Sequence, residues 1–165
     1  MAVRKIILVP HPILREKCAP VRSFSSASVV AADLRDTLYA HPGCVGIASP
    51  QIGKPERIIA IDASRRKGAV AHGFMILCNP EVLRREGREI GREGCLSVPD
   101  YTANVARATT VVVRAHDLEG RETELTAQGF EAVVLQHEID HLEGILFVDR
   151  VANVKTDLFR RKKYL

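Results

Sequence analysis

The stretch Gln136-His137-Glu138-Ile139-Asp140-His141-Leu142-Glu143-Gly144 decides how the rest of the chain is read. It contains H-E-x-x-H. On an α-helix, residues four apart share a face, so His137 and His141 can grip one metal ion together. Glu138 then stands beside them as a general base. A solvated helix with two incidental histidines is the alternative, and the flanks argue against it. Phe130, Val133, Val134, Leu135, Ile139 and Leu142 surround the segment on nearly all sides, and a helix that is apolar all round is a buried one. Buried imidazoles and a buried carboxylate need partners, which a metal supplies. Gly144 reads as the helix stop.

H-E-x-x-H alone suggests a zinc protease, so the third ligand decides the class. The extended protease form needs a histidine where this chain has Phe147, and no second buried helix follows to carry a glutamate. The ligand is therefore sought upstream, where Cys95 is the best candidate. It lies in the tight segment Glu93-Gly94-Cys95-Leu96-Ser97-Val98-Pro99. Two histidines, one thiolate and a fourth position left for water describe a catalytic metal rather than a structural one.

These residues resemble the peptide deformylases. Gln136–Gly144 is similar to that family's Q-H-E-x-D-H-x-x-G motif, and Glu93–Ser97 matches its E-G-C-L-S motif. Cys44-Val45-Gly46-Ile47-Ala48-Ser49-Pro50-Gln51 resembles the motif that comes first in those chains, usually written G-x-G-x-A-A-P-Q. Leu8–Arg15 looks like the family's opening strand and turn. The chain departs from the pattern at Cys44, which takes the place of the first glycine, and at Ser49, which takes that of the second alanine. Cys44 is expected to keep a negative φ, because a side chain in the left-handed region costs about 1–2 kcal/mol.

The resemblance implies a fold, an activity and roles. The fold is α+β, with antiparallel sheets packed around a central helix that carries H-E-x-x-H; many short strands around one buried helix point the same way. The activity is removal of formate from the N-terminal formyl-methionine of newly made proteins. One divalent metal is implied, Fe2+ in the native enzyme, although a Cys/His2 set also suits Zn2+, Ni2+ or Co2+. Cys95, His137 and His141 would hold it. The Gln51 amide and the Leu96 backbone N–H would stabilise the oxyanion. Val45, Gly46 and Ile47 would pair with the peptide as an added strand, and Val133 and Val134 would line the methionine pocket. Glu93 and Gln136 are expected behind the ligands, and Asp140 is expected to orient a histidine or to bind a nearby arginine, in a structural rather than a catalytic role. The competing readings are hydrolysis of another small formyl or acyl amide, a H-E-x-x-H metallopeptidase, and a non-catalytic metal-binding relative; intact Glu138 and Gln51 count against the last.

Composition sets the bounds. A chain of 165 residues is expected to form one domain, residues 1–165. A net charge of +4 is a mild bias that does not mark a sequence-specific nucleic-acid binder. With aromatics at 5% there is no base-stacking platform. The early apolar run meets Pro10 too soon for a signal peptide, and no segment is long enough to span a membrane, so a cytoplasmic protein is expected. Four cysteines without C-x-x-C spacing read as thiols, with Cys18 and Cys78 as small core residues.

The remaining pattern predicts a strand over Ile6–Val9 and an N-terminal helix capped by Ser25-Ser26 and running to about Tyr39. Strands are predicted over Arg57–Ile61 and over Phe74–Cys78, the latter ended by Asn79-Pro80. Val82–Ile90 reads as an exposed strand pair turning at Glu86-Gly87, and Thr109–Thr126 as a hairpin with its turn at Glu119-Gly120. A solvated basic loop is expected at Arg65-Arg66-Lys67-Gly68. A short amphipathic helix from Asn153 to Tyr164 closes the chain, and its basic residues Arg160–Lys163 offer a contact for the ribosome.

Overall fold

The computed structural model describes residues 2–162. Eight strands form two antiparallel sheets, and two α-helices pack on the larger one. The strands are β1 (Gly46–Ala48), β2 (Ile58–Ile61), β3 (Met75–Glu86), β4 (Glu89–Cys95), β5 (Val98–Arg107), β6 (Thr110–His116), β7 (Glu122–Gln128) and β8 (Leu158–Arg160). One sheet runs β1-β2-β3-β6-β7 and the other β4-β5-β8. The helices are α1 (Phe24–Ala40) and α2 (Gly129–Leu142).

The two helices take opposite faces of the five-stranded sheet, and β2 shows why. Its four residues are all buried, and successive side chains on a strand point to opposite faces. Ile58 and Ala60 pack with Val30, Leu34 and Leu38 of α1. Ile59 and Ile61 pack with Val134, Leu135 and Ile139 of α2. A strand covered on both sides has no polar face, which accounts for its unbroken apolar run. Full burial of each such side chain contributes about 1.5–3 kcal/mol. Cys18 and Cys78 sit in these two cores as expected. A third cluster, with Cys95, Val98, Ala103, Val105, Leu146 and Phe147, lies under the smaller sheet.

Helix α2 is the central element. Ten of its fourteen residues are buried, among them Glu131, Gln136, Glu138, Asp140 and His141. It ends where predicted. Gly144 takes φ +72°, and a Cβ there would lie 2.4 Å from the Arg15 carbonyl oxygen, so neither the conformation nor the space admits a side chain.

Several expectations are corrected. Helix α1 is capped by Ser23, whose extended backbone lets its hydroxyl accept from the Ser26 N–H, so Ser25 and Ser26 lie inside the first turn. Ile6–Val9 has no ladder of its own; Ile7 N–H donates to Gln51 C=O at 2.8 Å and Val9 N–H to Ser97 C=O at 2.9 Å, lacing two functional segments together. Asn79-Pro80 does not end β3. Asn79 takes φ 50°, Pro80 has no N–H to give, and the register to β6 shifts there, so the pair forms a bulge inside the strand. The chain does turn at Gly87 (φ +71°), but the flanking strands belong to different sheets, β3 pairing with β6 and β4 with β5. The basic loop Arg65–Gly68 is exposed as expected, although Arg65 also donates to the Leu38 and Cys44 carbonyls and Arg66 lies over the Phe130 ring at 4.3 Å.

Among the described residues, 153–162, the expected C-terminal helix is absent. The Asn153 side chain accepts from Lys155 N–H and its carbonyl from Thr156 and Asp157, closing a turn that does not propagate. Strand β8 follows and pairs with Tyr101–Ala103. Leu158 packs into the third core cluster while Phe159 lies under Arg92; adjacent apolar residues on opposite faces belong to a strand. The basic helix proposed to reach a ribosome therefore does not form, and Lys163 and Tyr164 lie outside the described residues. No helix among the described residues is long and apolar enough to cross a membrane.

Candidate active site

Helix α2 and the turn between β4 and β5 meet in a cleft of about 350 Å³. One wall is Pro42–Gly46, the other is Arg92–Leu96 with Arg161, and α2 forms the floor through Phe130, Val133, Val134, His137 and Glu138.

Cys95, His137 and His141 come together there. Each offers one ligand atom, and these atoms lie within 4.8 Å of one another. Cys95 Sγ is 3.3 Å from His141 Nε2. The sequence explains the assembly. The i, i+4 spacing sets both rings on one face of α2, edge to face with centroids 5.2 Å apart. Cys95 ends β4 beside a two-residue turn: Gly94 still pairs with Thr102, the register shifts after it, and Cys95 pairs with Val98. Phe147, standing where a protease would carry its third histidine, stacks on the His137 ring at 6.0 Å.

The donor set fits a divalent transition metal. One thiol and two imidazoles converge at a largely buried point, and soft and intermediate donors of this kind suit such ions. His137 Nδ1 is held by Glu93 Oε1 at 2.9 Å, leaving Nε2 to act as ligand. Burial holds His141 well below the ordinary histidine range, so it is neutral with a lone pair to give. Burial also opposes a charge on His137, but its hydrogen bonds to Cys95 and Glu93 outweigh that and raise its pKa; a bound metal would take the place of that proton.

Glu138 is buried on the same floor. Its Oε2 is a buried oxygen without a hydrogen-bond partner. Burial pushes its carboxyl up to about 7, near the value a general base needs at neutral pH. Gly46 makes room for it: a Cβ there would lie 2.7 Å from Glu138 Oε1 and 2.9 Å from both Glu138 Cγ and Val134 Cγ1. Gly46→Ala is expected to displace the carboxylate and lower kcat/KM by about tenfold to a hundredfold, with metal content unchanged; metal analysis beside steady-state kinetics checks it.

Gln51 is buried within a short 3-10 turn, Ser49–Ile52. Its Oε1 accepts from Ala48 N–H at 2.9 Å, which orients the amide so that Nε2 points into the cleft, 3.1 Å from Ser97 Oγ and 3.4 Å from Cys95 Sγ. Leu96 lines the cleft beside Cys95. Val45, Gly46, Val133 and Val134 line it as well, whereas the Ile47 side chain is fully buried in the α1 core. Cys44 keeps a negative φ; the positive φ falls on Gly43 (+77°). Its Sγ donates to the Gly46 carbonyl at 3.2 Å. Ser49 donates its hydroxyl to the Glu56 carbonyl.

Strand β1 is an edge strand. Asp62 N–H donates to Val45 C=O, and hydrogen-bonded pairs alternate along an antiparallel ladder. Ile47 therefore pairs with Ala60, and the N–H and C=O of Gly46 point to the open edge. Strand β4, across the cleft, is the edge of the other sheet. Two sheet edges thus face one space, with the Gly46 carbonyl also accepting from the Cys44 thiol.

Behind the ligands lies a buried ion network in which Arg107 is central. Its guanidinium makes two hydrogen bonds to Glu93, at 2.8 and 2.9 Å, and one to Asp140 at 2.6 Å; Arg150 also grips Asp140. Burial works against the Glu93 charge, but Arg107 and His137 outweigh it and hold the carboxyl down at about 2. Asp140 has its expected arginine. Gln136 points elsewhere, binding the Ala108 backbone N–H and C=O and the Ala132 carbonyl, so it ties α2 to the start of β6 rather than backing a ligand. Arg107 lies outside every motif, and Ser97, although part of the second one, carries no expected role there; its hydroxyl meets the Gln51 amide.

Residues 3–157 match the family model for polypeptide deformylase. The peptide deformylase of Syntrophobacter fumaroxidans is 42% identical over 98% of this chain and 94% of its own length. Among solved structures, a peptide deformylase from Legionella pneumophila superposes with a TM-score of 0.84 at 41% identity, covering 93% of this chain and 89% of that one. A class I type b peptide deformylase from Acinetobacter baumannii, bound to Met-Ala-Ser, has a TM-score of 0.84 at 35% identity, covering 91% of this chain and 99% of that one. With the Cys95–His137–His141 cluster in place and relatives aligned along nearly its whole length, this chain belongs to the polypeptide deformylase family.

Proposed function

We propose that residues 1–165 act as a catalytic unit that removes the formyl group from the N-terminal formyl-methionine of newly made proteins in the cytoplasm, releasing formate. The observation that carries this reading is one space in which a Cys/His/His cluster, a buried glutamate with one oxygen unpartnered and an aimed amide donor converge. Family membership supports the same reaction, and the Met-Ala-Ser held by the Acinetobacter relative has the form of its product.

Cys95, His137 and His141 would hold one divalent ion; the resemblance favours Fe2+, and the donor set also accepts Zn2+, Ni2+ or Co2+. Bound there, the ion supplies Lewis acidity to a water and to the formyl carbonyl. Glu138 takes a proton from that water as its oxygen attacks the formyl carbon. The oxyanion that develops is stabilised by the Gln51 amide and the Leu96 N–H. Glu138 then gives its proton to the departing amine, the C–N bond breaks, and formate and a free N-terminus result. Glu93 orients His137 and is itself held by Arg107.

The peptide would lie extended between the open edges of β1 and β4, pairing with Gly46. Its methionine side chain would enter between Val133 and Val134, where an unbranched, polarisable chain fits an apolar pocket. Formyl-Met and formyl-norleucine peptides are therefore expected to exceed formyl-Asp peptides by about tenfold or more in kcat/KM, and the unformylated peptide is expected to remain uncut. Mass spectrometry of each peptide after incubation checks both; cleavage of an internal bond at comparable rate would favour a peptidase instead.

A further inference from the structure

We infer that Arg161, seated beside Arg92 on the rim of the cleft, binds a carboxylate carried by the peptide two or three residues along from its formylated end. The inference rests on the deformylase reading above and adds a specificity determinant to it.

Arg161 directly follows β8, and its N–H donates to the Asp100 carbonyl at 2.8 Å, so its backbone is laced to β5 just beyond the Cys95 turn. Its guanidinium lies against Gly94. A Cβ there would come within 2.5 Å of Arg161 Nη2, so the glycine is what admits the cation to the cleft wall. Arg92 is held in place by neutral partners only: Nε donates to Asn104 Oδ1 at 3.1 Å, Nη1 to Thr102 Oγ1 at 3.3 Å, and the guanidinium lies 3.7 Å over the Phe159 ring. Among the described residues no carboxylate pairs with either arginine. Glu93, next to Arg92 in sequence, is buried and engaged by Arg107 and His137. Two exposed cations without a paired carboxylate raise the local concentration of anions. A guanidinium also matches a carboxylate in a bidentate fork.

The spacing selects the position. The Arg161 guanidinium lies at Gly94, and Arg92 stands three residues from Cys95 on the same strand, about 10 Å at ~3.3 Å per residue, so the two cations line the way from the metal cluster to that point. An extended peptide whose formyl group lies at Cys95 covers that distance by its third residue. The carboxylate can be an Asp or Glu side chain, or the free C-terminus of a short peptide; the chemistry is the same.

The test compares kcat/KM at low ionic strength for formyl-Met-Ala-Glu-amide, its Gln and Lys counterparts, and formyl-Met-Ala-Ser as free acid and as amide. Glu over Gln, or acid over amide, is expected by about three- to fivefold, with Lys poorest, the effect residing in KM and shrinking as salt is added. The Glu arm reports a side-chain source and the acid arm a chain terminus. Arg161→Gln is expected to bring the ratios near one and Arg161→Lys to retain part of them. Lys155→Gln, which removes the same charge away from the cleft, is expected to keep them. Ratios near one in the unaltered enzyme, or ratios that persist in Arg161→Gln, would overturn the inference while formate release from every peptide left the deformylase reading standing. No formate from any peptide would overturn both.

Discussion

Glu138→Gln is expected to bind metal as the unaltered protein does and to lose about a hundredfold or more in kcat. Glutamine keeps the volume that Gly46 and Val134 enclose, so the packing around position 138 has no reason to change. What is lost is the ability to take a proton. Glu138 is buried with one oxygen unpartnered, and burial raises its carboxyl to about 7. Near-normal turnover in this variant would show that the proton leaves by another route.

Cys95→Ala is expected to lose both the metal and the activity to background. The thiolate is the only anionic ligand in the set, and two neutral imidazoles alone hold a divalent ion far more weakly. His72→Ala is expected to keep both, since His72 binds Glu131 at the other end of α2 and not the cluster. Metal analysis of the purified variants decides it, and stoichiometric metal in Cys95→Ala would remove the proposed ligand set. Cys44 is the rival thiol. It lines the same cleft, but its Sγ is committed to the Gly46 carbonyl, burial pushes its pKa up to about 12, and it lies outside the three-residue cluster. Metal retained in Cys95→Ala and lost only when Cys44 is also replaced would favour that rival.

What could be read in advance was what has a short period or a short motif. The i, i+4 histidines, the buried surroundings of α2 and its glycine stop are local properties of one helix. So is the α1 stripe of Val30, Leu34 and Leu38. The features that escaped depend on partners distant in sequence. Strand β5 carries Pro99, Asp100 and Asn104, poor strand formers, and is held by pairing with β4 and β8. Leu158 and Phe159 suit a helix stripe as well as a strand until their two faces find the core and Arg92. Arg107 lies outside every motif. Yet Ala103, Val105 and Arg107 share one strand face and are all buried, so an arginine continuing an inward alternation was a usable sign, and two buried carboxylates at Glu93 and Asp140 demanded a cation.

Everything in the cleft serves hydrolysis of an N-terminal formyl amide. The most direct measurement is formate release from formyl-Met-Ala-Ser by anaerobically purified, metal-loaded protein. One formate and one new free amine per peptide consumed are expected, with the Met-Ala-Ser chain left whole and the reaction abolished by a chelator. Metal-loaded protein that releases no formate, or that cuts the peptide at an internal bond, would contradict it.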